Sequence, residues 1–68
     1  MDENRVYRIE VAGRLDESWA RWFEGLAMAF TDDATIFSGP MVDQAALRGV
    51  LNKMWDLNLV IRSVTRVE

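Results

Sequence analysis

The stretch Asp43–Leu59, DQAALRGVLNKMWDLNL, constrains this chain more than any other. Leu47, Val50, Leu51, Met54 and Leu57 fall at i, i+3, i+4, i+7 and i+10. That spacing lines one face of an α-helix with apolar groups, and such a face must lie against something. Asp43 is placed to cap the helix at its start. Asn58, near the end, tolerates the left-handed conformation that closes many helices.

Around this helix the chain alternates. In VYRIEVAGRL, Tyr7, Ile9, Val11 and Leu15 share one side, and Arg8, Glu10 and Arg14 the other, which predicts a half-buried strand. Gly13 marks a bulge or a bend near its end. Asp16 then caps a short amphipathic helix with Glu17 in its first turn. Trp19, Trp22, Phe23 and Leu26 sit at i, i+3, i+4 and i+7, and Gly25 is its stop. LAMAFT alternates again, with Leu26, Met28 and Phe30 against Ala27 and Ala29. Thr31-Asp32-Asp33-Ala34 reads as a hairpin tip, and TIFSGP as the return strand, ended by Gly39-Pro40. The tail VIRSVTRVE is a last strand rich in β-branched residues. Its facing is ambiguous, and the arginines favour Ile61, Ser63, Thr65 and Val67 inward, with Val60, Arg62, Val64 and Arg66 outward.

The order is β-α-β-β-α-β. It predicts an α+β fold, the ferredoxin-like βαββαβ plait: a four-stranded antiparallel sheet of order 4-1-3-2 with two helices on one face. Residues 1–68 form a single domain, after a polar lead-in over residues 1–5. A chain of 68 residues buries about 60% of its unfolded surface, so its stability is marginal without support. There is no Cys and no His, which excludes disulfides and disfavours zinc; oligomerisation or a partner remains. The net charge of −3 argues against nucleic acid. No apolar run approaches a membrane span, and the polar start is unlike a signal peptide, so a cytoplasmic location is expected.

The segments SWARWFEGL and SGPMVDQAALRGVLNKMWDLNL, with SVTRVE at the end, resemble a group of small prokaryotic proteins of unassigned function. Their pattern reads W-x-x-W-F-x-G-L, then G-x-x-x-D-Q-A-A-L-x-G-x-L. The likeness runs from Tyr7 onward; it implies a ferredoxin-like fold and brings no chemistry. Against that pattern Trp55 replaces a charged residue and Arg48 a His. Ala27, Ala29 and Ile36 replace threonines, and Val60 a proline. A large apolar residue in place of an exposed polar one is the mark of an interface, natural or engineered.

No residue constellation carries catalysis. Acid–base work needs a held titrating group, and the neighbouring Asp32 and Asp33 belong to an open turn. Ser18, Ser38 and Ser63 have no base to activate them. Gly13 and Gly39 are isolated, so no phosphate loop is present. Trp19 and Trp22 are expected in the core rather than in a ligand cage. Tyr7 and Gln44 invite comparison with flavin-binding light sensors of this fold, but the core fills the pocket a flavin needs. No cofactor and no catalytic or metal site is expected.

Two surfaces remain. Trp55 lies about 80° around the long helix from Leu47, with Arg48 and Asn52 on its stripe, where Trp and Arg suit a partner's anchor. The open sheet face would carry Val6, Ala27, Ala29, Ile36 and Val64, edged by Arg8, Glu10, Arg62 and Arg66. A solvated face would alternate to polar residues, and no aromatic is there to stack RNA bases. The expected function is non-enzymatic protein–protein interaction, with self or another protein, through Trp55, Arg48, Asn52, Ala27, Ala29, Ile36, Arg62 and Val64. The second reading is a small-ligand regulatory domain acting as a homo-oligomer. It rests on the Gly13-Arg14-Leu15-Asp16 turn.

Overall fold

The computed structural model describes residues 5–67; the lead-in over residues 1–4 and Glu68 lie outside the described residues. In chain order it contains β1 (Arg5–Ala12), a 3-10 segment (Glu17–Trp22), β2 (Ala27–Phe30), β3 (Ala34–Met41), α1 (Gln44–Asp56) and β4 (Ile61–Arg66). The strands form one antiparallel sheet, order β2-β3-β1-β4.

The α+β class stands, but the ferredoxin-like plait with two helices does not. Where a first α-helix was expected, the chain makes six residues of 3-10 helix. The register supplies the reason. β1 ends level with Ala34, and β2 begins level with Ser38, four residues back along β3. That return is about 13 Å. Six residues of α-helix span only about 9 Å, whereas the same six at 3-10 pitch span about 12 Å. The second crossover must return from the level of Arg5 to that of Val11, about 20 Å, and the thirteen residues of α1 are about that long.

Local chemistry sets the ends of both segments. The Asp16 carboxylate accepts from the Ser18 N–H at 2.7 Å, and Gly25, at φ 88°, turns the chain into β2. Asp43 caps α1 by accepting from the Ala46 N–H at 2.8 Å. At the far end Asn58 takes φ 64°. The Leu59 N–H donates to the Met54 carbonyl and the Asn58 N–H to that of Trp55, both at 2.9 Å, closing the helix.

The core lies between the sheet and these segments. Tyr7, Ile9 and Val11 of β1 meet Phe37, Met41, Leu47 and Met54, with Phe23 tilted against Phe37 at 4.9 Å between ring centres. Trp19 packs against this cluster, but Trp22, expected inside, is 48% exposed. Among the described residues Thr35 is the buried polar side chain. Its hydroxyl donates to the Gly13 carbonyl at 2.8 Å and accepts from the Leu15 N–H at 2.9 Å.

β3 does not stop at Gly39-Pro40; it runs on to Met41. Gly39 carries no Cβ because one would sit 2.8 Å from the Gly25 carbonyl, so the chain crosses closely over it. Pro40 is tolerated because β2 pairs only as far as Ser38. The Val67 N–H bonds the Val6 carbonyl, so Val6 faces β4 and its partner Pro40 turns its nitrogen to the side β2 has left.

Candidate functional site

α1 has two flanks with different neighbours. One faces the 3-10 segment, where Lys53 donates to the Trp22 carbonyl at 2.9 Å and stands 5.8 Å from the centre of the Phe23 ring. The other flank points past β1 towards β4. Its first residue, Gln44, donates to the Tyr7 hydroxyl at 3.2 Å, seating the helix start on β1. This is the Tyr–Gln pair singled out in the sequence, and the Tyr7 ring is buried in the core.

Gln44, Leu47, Arg48, Leu51, Asn52 and Trp55 line an open groove of about 740 Å³ along that outer flank. Trp55 is 55% exposed. The expected stripe of Trp55, Arg48 and Asn52 is therefore assembled, all three exposed, with Leu47 and Leu51 as its apolar floor. Leu51, expected on the apolar stripe, and Gln44, expected beside Tyr7, were not assigned to this surface; the helical period that placed Trp55 also brings them to it.

β4 does not present the face expected of it. Glu10 pairs with Ser63 and Val11 with Ile61, so Arg62 is an extra residue. The bulge inverts the alternation beyond it. Val64 lies opposite Ile9, on the helix side of the sheet, and not on the open face with Ala27 and Ala29. It is nevertheless 41% exposed, since among the described residues no helix extends over the outer strand. Ser63 and Thr65, expected inward, pair with Glu10 and Arg8 and face out.

The open face is less apolar than expected. Ala27 and Ala29 are exposed there, beside Ser38 and Ile36. Ile36 is only 7% exposed, so it is corrected from a docking residue to a buried one. Arg62 reaches from the outer strand to Glu10 at 3.2 Å and Asp33 at 3.4 Å, past the paired Ala12 and Ala34. Its hydrogen bond to Asp33, then that to Glu10, holds the guanidinium pKa above its ordinary value. This spoke of ion pairs crosses the face that a flat partner would need.

The Gly13–Asp16 turn, on which the ligand reading rested, spends its polar groups internally. The Gly13 carbonyl and Leu15 N–H both bond Thr35, and the Gly13 N–H bonds the Asp33 carbonyl at 2.7 Å. Among the described residues no three His, Cys, Asp or Glu side chains are grouped to hold a metal. Among them, too, no helix is long and apolar enough to cross a membrane.

Four antiparallel strands, one helix, a 3-10 crossover and an exposed tryptophan flank define a small α+β domain. Residues 6–65 match the family model of a domain of unknown function, DUF8691, and the chain belongs to that family. No curated protein and no solved structure matches the chain.

Proposed function

We propose that this protein is a cytoplasmic, non-enzymatic protein-interaction module that binds a second copy or another protein through the outer flank of α1. The observation that carries the reading is Trp55, 55% exposed at the end of a groove floored by Leu47 and Leu51 and edged by Arg48 and Asn52. Trp and Arg around a desolvatable apolar floor are what hot spots are made of. A small core gives a second motive, because a partner adds the burial that 68 residues lack. The net charge of −3 weighs against nucleic acid as the partner.

A photoreactive benzophenone side chain placed at position 52 tests the reading, in purified protein and in cells. Crosslinks to protein are expected, and Trp55→Ala should remove them by weakening association by about 2 kcal/mol or more. Crosslinks that survive Trp55→Ala unchanged, or none at all, would reject it.

A further inference from the structure

The outer strand β4 has a self-complementary edge. The Val67 N–H donates to the Val6 carbonyl at 2.7 Å, so these two residues form a hydrogen-bonded pair. In an antiparallel ladder such pairs alternate with non-bonded ones. Arg8–Thr65 and Glu10–Ser63 are then bonded, and Ile9–Val64 is not. The main-chain N–H and C=O of Val64 therefore turn away from β1, towards the open edge of the sheet. Its side chain, on the helix side of the sheet, is 41% exposed.

We infer that β4 pairs antiparallel with β4 of a second copy, about a two-fold axis at Val64, to give one continuous eight-stranded sheet. This deepens the interaction-module reading and rests on it. With the axis there, each Val64 N–H donates to the C=O of the other, and the two valine side chains meet on the helix side. Ser63 falls opposite Thr65 of the second copy on the open face, a pair of hydroxyls that suits a cross-strand contact. Arg62 falls level with Arg66 of the second copy, but the bulge turns its side chain to the open face, where Glu10 and Asp33 pair it, while Arg66, opposite Tyr7, lies on the helix side. The outer flanks of the two α1 helices then run antiparallel on either side of the seam. Arg48 on one comes towards the end of the other that carries Trp55, the cation-to-indole arrangement that aromatic faces favour.

The alternative edge argues for the same choice. β2 is only four residues long, which blunts it as a template. A β2-to-β4 contact would be head-to-tail and need not close, whereas a β4-to-β4 contact closes on itself as a dimer.

Sedimentation equilibrium of wild type, Val64→Lys, Val64→Glu and their equimolar mixture tests this, with circular dichroism to confirm that each variant is folded. Wild type should pass from monomer to dimer with rising concentration. Each variant alone should associate at least about tenfold more weakly, because like charges meet on the axis. The mixture should recover a dimer, because a lysine then faces a glutamate. A wild type that stays monomeric up to about a millimolar would overturn the inference. So would a dimer indifferent to Val64→Lys, or a mixture that fails to recover. Crosslinking at position 52 that depends on Trp55 yet ignores Val64→Lys would remove this pairing while leaving the interaction module in place.

Discussion

Thr35 carries more of the fold than its size suggests. Its hydroxyl satisfies a carbonyl and an N–H of the Gly13–Leu15 turn from a fully buried position. Thr35→Val keeps the shape and orphans both main-chain groups. The expected cost is about 1–3 kcal/mol, read by chemical denaturation. No change in midpoint would mean that water satisfies the turn instead. Asp16 makes a prediction in pH. Its hydrogen bonds from Ser18 hold its pKa below the ordinary carboxylate value. A depressed folded pKa contributes stability that is present above the unfolded pKa, near 4, and is lost as pH falls through the folded value. Asp16→Asn keeps an accepting oxygen that does not titrate. The wild type should therefore lose more thermal stability than the variant between about pH 5 and pH 2. Parallel melting curves over that range would contradict the cap.

Among the elements, the closest approach is the crossing of the 3-10 exit over β3. Gly39→Ala would drive a Cβ to 2.8 Å from the Gly25 carbonyl, a backbone atom that cannot swing aside. Overpacking of this kind costs about 1–3 kcal/mol. In a domain of this size each kcal/mol lowers the melting temperature by about 4–8 °C, which calorimetry would read. An unchanged melting temperature would show that the crossing is looser than described. The elements also show what the sequence could and could not tell. α1 was legible because five apolar residues keep the helical period between an aspartate cap and an asparagine close. β1 was legible by its alternation. The first crossover was not, because Trp19, Trp22 and Phe23 fit an α-helix as well as a shorter, steeper turn. Only the distance it must span decides, and that is set by strand register. The facing of β4 was hidden by one residue. Arg62 as a bulge leaves the composition of the strand unchanged and reverses every side chain beyond it. Trp55 was placed correctly because its position depends on the helix period alone. Val64 and Ile36 were misplaced because theirs depend on register and on what lies above them.

At the scale of the molecule, the sheet is covered unevenly. The 3-10 segment and α1 cover the helix side of β2, β3 and β1, and Val64 on the outer strand is left 41% exposed. The reverse face, with Ile36 buried and the Arg62 ion pairs across it, is the poorer docking surface. The Trp55 flank and the β4 edge are proposed together as the surface that a second copy covers. A dilution series of nitrogen-15 correlation spectra tests it most directly. The indole N–H of Trp55 and the amides of Ser63 and Val64 should shift together and saturably with concentration, while Ala27 and Ala29 stay fixed. Shifts confined to Ala27 and Ala29, or none at any of these positions, would contradict it.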